Sequence, residues 1–156
     1  MYKVGIIGSE ASGKTTLARY LAKRYKGTYV REYARDYIKE KGTRTVSWDE
    51  LCEIARYQIE EMERIEASGE PLVIFDTELI ITKVWFDDAF GRVPEWLGEA
   101  IRKYPMDVYL LTYPDLVWKQ DGTRYNGGDE KRMELFNRYE QEIEALNIPY
   151  YIIKHQ

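Results

Sequence analysis

The chain has 156 residues, of which 44% are hydrophobic and 32% charged, and its formal net charge is −4. These values are typical of one soluble globular domain. The acidic net charge argues against binding to nucleic acid or to anionic membranes. No apolar run reaches the roughly 20 residues that span a bilayer. Cys52 and His155 are the single cysteine and histidine, which excludes an intrachain disulfide, a Cys/His zinc cluster and a histidine-dependent triad within one chain. Met1 runs directly into the first predicted strand without the layout of a signal peptide, so we expect a cytoplasmic protein.

Hydrophobic periodicity predicts strands alternating with helices along the whole chain. The predicted elements, in chain order, are a strand at Tyr2–Gly8, a helix at Lys14–Tyr25, a strand at Thr28–Glu32, a helix at Tyr33–Lys41, a helix capped by Ser47 that ends near Gly69, a strand at Pro71–Asp76, helices at Thr77–Ala89 and Pro94–Tyr104, a strand at Val108–Thr112, a helix at Asp129–Leu146 and a strand at Tyr150–Ile153. This alternation predicts an α/β fold with a five-stranded parallel sheet, helices on both faces and right-handed crossovers. No linker or repeat interrupts it, so we expect a single domain over residues 1–156.

Residues 8–15 read Gly-Ser-Glu-Ala-Ser-Gly-Lys-Thr, which is the pattern G-x-x-x-x-G-K-[ST]. In this pattern the glycines let backbone N–H groups turn toward a polyphosphate at a helix N-terminus. Lys14 would reach the β- and γ-phosphates, and the Thr15 hydroxyl would hold Mg²⁺. A chance glycine-rich turn is the alternative, but the position between a strand and a helix favours nucleotide phosphate binding.

Two carboxylates follow predicted strands, at the sheet edge where ligands gather. Asp76 ends its strand and could bind Mg²⁺, directly or through water, or accept a proton from a substrate hydroxyl; its alternative role is to cap the helix that begins at Thr77. Asp107 precedes its strand, so it belongs at the opposite edge. Glu32 ends the second strand and could orient an acceptor hydroxyl, or it could pair on the surface with Arg35.

A cation-rich stretch spans residues 117–132, with Lys119, Arg124, Lys131 and Arg132. Such a segment could act as a lid over phosphates, with Arg124 and Arg132 as the better-placed cations, or it could be a solvated charged turn. Trp118 follows the fourth strand, where its ring could stack on a planar ligand.

Four stretches together resemble the ribosylnicotinamide kinase domain of bacterial NAD-biosynthesis regulators and the related stand-alone AAA-type ATPases. They are Gly8–Thr16, Glu32–Arg35, Phe75–Glu78 and Trp118–Arg124. The resemblance implies a three-layer P-loop kinase fold with a lid near residues 118–132, and ATP with Mg²⁺ as cofactors. It further implies phosphorylation of nicotinamide riboside on its 5′ hydroxyl to give the mononucleotide, as a step of NAD biosynthesis.

Together, the motif and the resemblance assign roles to particular residues. The catalytic set is Lys14, Asp76, Glu32, Arg124 and Arg132; the phosphate loop is Gly8, Ser9, Glu10, Ala11, Ser12, Gly13, Lys14, Thr15 and Thr16; the substrate-binding set is Glu32, Tyr33, Arg35, Trp118 and Asp121; and the metal ligands are Thr15 and Asp76. The expected partner is a small nucleoside-like molecule, not nucleic acid or a membrane. Two alternatives stay open: a kinase for another nucleoside or small metabolite, and a nucleotide-dependent regulatory ATPase without a small acceptor.

Overall fold

A computed structural model describes residues 1–9, 13–33, 46–114 and 126–154 of the chain. Its strands are β1 (Tyr2–Ile7), β2 (Thr28–Val30), β3 (Leu72–Asp76), β4 (Val108–Thr112) and β5 (Tyr150–Ile153). Its helices are α1 (Lys14–Arg24), α2 (Trp48–Ser68), α3 (Leu79–Phe90), α4 (Glu95–Lys103) and α5 (Asn126–Ala145). Within these ranges no helix is both long enough and apolar enough to cross a membrane.

The five strands form one sheet in the order β2-β3-β1-β4-β5, and every pair of neighbours is parallel. The central strand β1 lies between β3 and β4, with Ile6 opposite Asp76 on β3. Because parallel strands end at a common edge, the loop after β1 and the carboxylate at the end of β3 are neighbours. The predicted five-stranded parallel α/β fold is confirmed.

Side chains from the two faces of the sheet enter two separate hydrophobic clusters, which makes the fold three-layered. On one face Val4, Ile6 and Ile74 pack against Ala18 and Ala22 of α1. The cluster on the other face draws on α2, α3, α4 and α5; its sheet residues include Ile7, Phe75 and Leu111 and its helix residues include Ile54, Phe86, Leu97 and Phe136. Burial on both faces explains why β1, β3 and β4 are near-continuous apolar runs.

Local signals fix where several elements begin and end. Ser47 caps α2, because its Oγ accepts from Glu50 N at 3.1 Å while Glu50 Oε1 accepts from Ser47 N at 2.9 Å. The helix ends at Gly69, which takes the left-handed conformation with φ 76°. At the amino ends of the strands, Asp107 Oδ2 accepts from Lys3 N at 2.7 Å, so Asp107 does lie at the edge opposite the phosphate loop.

Three predicted boundaries differ from the structure. The second strand ends at Val30, so Glu32 follows the strand instead of closing it. Helix α3 begins at Leu79 and not at Thr77, because Thr77 has a φ of 73° that no helix allows. Helix α5 begins at Asn126, before the predicted Asp129. The helix predicted at 33–41 lies almost entirely outside the described residues.

Candidate active site at the carboxyl edge of the sheet

The loop after β1 leads directly into the N-terminus of α1. Gly13 occupies the N-cap position in the left-handed conformation, with φ 85°, which a side chain would strain. Neither a capping side chain nor an acidic residue in the first turn of α1 neutralises the positive end of this helix. The end of α1 therefore retains the character of an anion-binding site.

Asp76 is the most deeply buried acidic group at this edge, with 1% of its surface exposed. Its Oδ2 accepts hydrogen bonds from the Thr15 hydroxyl at 2.7 Å and from the Tyr29 hydroxyl at 3.0 Å. Its Oδ1 is buried with no hydrogen-bond partner among the described residues. A buried carboxylate oxygen without a hydrogen-bond partner is typical of a ligand-binding site, and a hard cation that prefers oxygen ligands, such as Mg²⁺, fits this oxygen.

The Thr15 hydroxyl and the Asp76 carboxylate are thus suited to hold Mg²⁺, whereas the alternative role of Asp76 as a helix cap is wrong. The cap of α3 is Glu78, whose side chain accepts from Ile80 N at 3.0 Å. Asp76 contacts Thr15 while Glu78 caps α3, because the chain turns between them at Thr77, whose φ is 73°.

Lys14 and Glu32 meet at the same edge. Lys14 Nζ lies 3.8 Å from Glu32 Oε1, and the two side chains are 5% and 16% exposed. The turn after β2 therefore brings Glu32 to the phosphate loop, as its predicted role requires. Its alternative partner, Arg35, lies outside the described residues.

One cation of the predicted lid reaches the phosphate loop. Arg132 Nε on α5 donates to Ser9 Oγ at 3.4 Å, which links α5 to the loop after β1. Lys131 turns the other way and pairs with Asp88 on α3. The predicted site residues outside the described ranges are Glu10, Ala11, Ser12, Arg35, Trp118, Asp121 and Arg124.

A cavity of about 100 Å³ opens at the ends of β2 and β3. One wall is formed by α2, and the lining residues are Val30, Arg31, Tyr33, Tyr57, Gln58, Glu61, Met62, Phe75, Thr77 and Glu78. The rings of Tyr33 and Tyr57 stack with their centroids 3.7 Å apart and an interplanar angle of 16°. The cavity thus offers aromatic surface together with charged and amide groups.

The segment between β3 and α3 holds an unusual backbone and an unusual carboxyl group. Thr77, a β-branched residue, is held at φ 73° while its N donates to Ile6 O at 2.9 Å. Such strained backbone concentrates at functional sites. Glu78 is 3% exposed and is hydrogen-bonded to the Tyr109 hydroxyl; burial, the largest influence, raises the pKa of this carboxyl to about 7.

Sequence reasoning missed Tyr29 and the residues that α2 contributes to the cavity, among them Tyr57, Gln58 and Glu61. The position of Tyr29 follows from strand register: Tyr29 lies opposite Ile74, which shares a face of β3 with Asp76. That register is a long-range property, so only the pairing of β2 with β3 reveals it.

The phosphate loop, the parallel sheet and the paired Thr15 and Asp76 define a P-loop nucleotide-binding domain. A family model described as an AAA domain matches residues 3–156, and the chain belongs to that family.

Two relatives carry the name trifunctional NAD biosynthesis/regulator protein NadR. The protein of Escherichia coli (strain K12) is 26% identical over 156 residues, which is 98% of this chain and 38% of that protein. The protein of Salmonella typhimurium is 25% identical over 97% of this chain and 38% of its own length. The chain therefore spans well under half of the length of these relatives.

Solved structures share the fold. A crystal structure of NadR protein in complex with NR superposes with a TM-score of 0.74 at 24% identity, over 97% of this chain and 45% of that one. A thymidylate kinase from Ehrlichia chaffeensis superposes with a TM-score of 0.68 at 15% identity, over 99% of this chain and 87% of the kinase chain. At these identities the likeness establishes the three-layer P-loop fold.

Proposed function

We propose that this domain is a kinase that transfers the γ-phosphoryl group of ATP to a small nucleoside. The observation that carries the proposal is the Thr15–Asp76 contact of 2.7 Å at the phosphate loop, at the same edge of the sheet as a cavity whose lining includes Phe75 and Thr77, the neighbours of Asp76 in the chain. A regulatory ATPase needs the phosphate loop but has no use for an acceptor cavity at the same edge of the sheet. The kinases among the structural neighbours, including the thymidylate kinase, support the same class of reaction.

In this mechanism the protein positions the two reactants and stabilises charge. Main-chain amides of the loop and the α1 N-terminus bind the triphosphate, and Lys14 contacts its terminal phosphates. Mg²⁺, held by Thr15 and Asp76, would neutralise phosphate charge when bound. A substrate hydroxyl oxygen then forms the new bond to phosphorus while the bond between the β–γ bridging oxygen and the γ-phosphorus breaks, which releases ADP.

The remaining charged residues have complementary tasks. Glu32 orients the acceptor hydroxyl and takes up its proton; its distance of 3.8 Å from Lys14 supports this role, because Lys14 would bind the phosphates. Arg132, which reaches Ser9 at 3.4 Å, stabilises negative charge on the transferring group. The sequence pattern predicts the same role, stabilising charge on the transferring group, for Arg124.

Nicotinamide riboside is the acceptor that we propose first. Its base is a cation, and the cavity pairs the Tyr33 and Tyr57 rings with the carboxylate of Glu61. Aromatic faces and a carboxylate attract such a base. The NadR protein whose structure was solved with NR is consistent with this choice.

A second candidate is a nucleoside with an uncharged base. The observation that favours it is Arg31, whose positive charge also lines the cavity. A guanidinium group repels a cationic base but can donate hydrogen bonds to the carbonyl or ring nitrogen of a neutral one.

The test supplies the purified domain with ATP, Mg²⁺ and one nucleoside at a time, and separates the products by chromatography. The panel contains nicotinamide riboside, adenosine, cytidine and thymidine. Formation of the mononucleotide of nicotinamide riboside at the highest kcat/KM supports the first proposal, and preference for a neutral nucleoside supports the second. ATP hydrolysis that no nucleoside changes would contradict both and favour the regulatory ATPase.

A further inference from the structure

Two hydroxyl groups converge on one oxygen of Asp76. Thr15 Oγ1, from the phosphate-loop pattern, donates to Oδ2 at 2.7 Å, and Tyr29 OH donates to the same oxygen at 3.0 Å. The second contact comes from outside the motif. It leaves Oδ1 as the carboxylate oxygen without a partner among the described residues.

The side chain of Tyr29 is held on both sides. Its strand pairs with β3 so that Tyr29 lies opposite Ile74, on the face that carries Asp76. The Arg19 guanidinium stacks over its ring at 5.6 Å and is hydrogen-bonded to its hydroxyl. Arg19 lies four residues after Thr15 on α1, hence on the same side of that helix.

These contacts form a chain that runs from Arg19 through Tyr29 to Asp76, with Thr15 as the second donor. A carboxylate bound through one hydroxyl can still rotate about its terminal torsion, whose potential is broad. Two donors that reach the same oxygen from different elements fix its plane. The other oxygen, Oδ1, then has one fixed direction and keeps its capacity to bind a ligand.

We infer that Tyr29 is a positioning residue that orients the Asp76 carboxylate for the divalent cation of the nucleotide. It touches neither nucleotide nor acceptor and acts through Asp76 alone. The inference rests on the proposed function only in that Asp76 serves a metal–nucleotide site, whichever molecule accepts the phosphate.

The test measures metal affinity without turnover. Mn²⁺ is titrated into the protein saturated with AMP-PNP, and bound metal is followed by electron paramagnetic resonance. Four proteins are compared: wild type, Tyr29→Phe, Asp76→Asn and the double variant. Tyr20→Phe is the matched control, because it removes the same hydroxyl group from a tyrosine of α1 that is 60% exposed.

Loss of the Tyr29 hydroxyl should weaken Mn²⁺ binding about tenfold, the lower end of the effect of removing an outer hydrogen bond to a metal ligand. AMP-PNP affinity without metal and the unfolding midpoint should stay at wild-type values, since Phe retains the ring. In the Asp76→Asn background the same substitution should have no further effect on Mn²⁺ binding. Tyr20→Phe should match wild type.

The inference would be overturned if Tyr29→Phe bound Mn²⁺ within about twofold of the wild-type affinity, because losing a hydrogen bond to a metal ligand should have a larger effect. So would additive losses in the double variant, because Tyr29 would then act by a route other than Asp76. Failure of the proposed function is a different result: wild-type protein would bind Mn²⁺ and AMP-PNP, respond to Tyr29→Phe as expected, and still phosphorylate no nucleoside.

Discussion

Replacing Gly5 by alanine tests how tightly the central strand supports the site. A Cβ at this position would lie 2.9 Å from Cε1 of Tyr109 and 3.0 Å from Cγ of Met106. Tyr109 is 1% exposed, and its hydroxyl is hydrogen-bonded to Glu78, the cap of α3 on the cavity wall. The ring therefore cannot turn aside without breaking that contact.

Overpacking of this kind costs about 1–3 kcal/mol of unfolding free energy. For a domain of this size each kcal/mol lowers the melting temperature by about 2–4 °C. A cost of about 2 kcal/mol, in the middle of that range, corresponds to a decrease of about 4–8 °C. The acceptor KM should rise as well, because displacement of Tyr109 disturbs Glu78.

The assay is thermal unfolding followed by circular dichroism, with Gly98→Ala as the control. Gly98 lies in α4, and the nearest atom to its added Cβ is the flexible Arg102 Nη1 at 3.5 Å. Alanine there should raise the free energy of unfolding by up to about 1 kcal/mol, since it favours helix. Equal melting temperatures for Gly5→Ala and wild type would refute the close packing on which this reasoning depends.

Four further substitutions or reactions probe the site and the core. Lys14→Ala should lower kcat by about 100-fold or more with an unchanged circular dichroism spectrum, and near-normal turnover would remove Lys14 from catalysis. Glu32→Gln should reduce acceptor-dependent turnover without changing ATP affinity in calorimetry; an equal loss of ATP binding would contradict its assignment. Asp76→Asn should raise the Mg²⁺ concentration for half-maximal rate by about tenfold or more, whereas an unchanged value would exclude it as the metal ligand. Cys52 is 6% exposed and burial raises the pKa of its thiol, so a disulfide reagent at pH 8 should react slowly with native protein and at once in denaturant; fast native reaction would show that α2 opens readily.

Much of the fold follows from local patterns. The bounds of β4 and β5 agree with the predicted ones, because short apolar runs between polar breakers are typical of strands. The Ser47–Glu50 capping box and Gly69 mark the two ends of α2 for the same local reason. The phosphate loop is equally local, since its geometry depends on glycines at fixed spacing.

The rest of the site depends on contacts between distant segments. Tyr29 reaches Asp76 only through the register between β2 and β3, and Tyr57 reaches Tyr33 only because α2 packs over the end of β2. Neither neighbour can be inferred from residues close in sequence. The left-handed backbone at Thr77 cannot be predicted from the sequence either, because a β-branched residue disfavours that conformation and the backbone bond from Thr77 N to Ile6 O joins it to another strand.

The central claim is that the turn between β1 and α1 binds the phosphates of a nucleoside triphosphate. Titration calorimetry of wild type and Lys14→Ala with AMP-PNP and Mg²⁺ tests it most directly. We expect saturable one-to-one binding to wild type and at least tenfold weaker binding to the variant, since Lys14 is the cation that we propose for the terminal phosphates. No binding heat at several temperatures, or equal affinity of the two proteins, would contradict the claim.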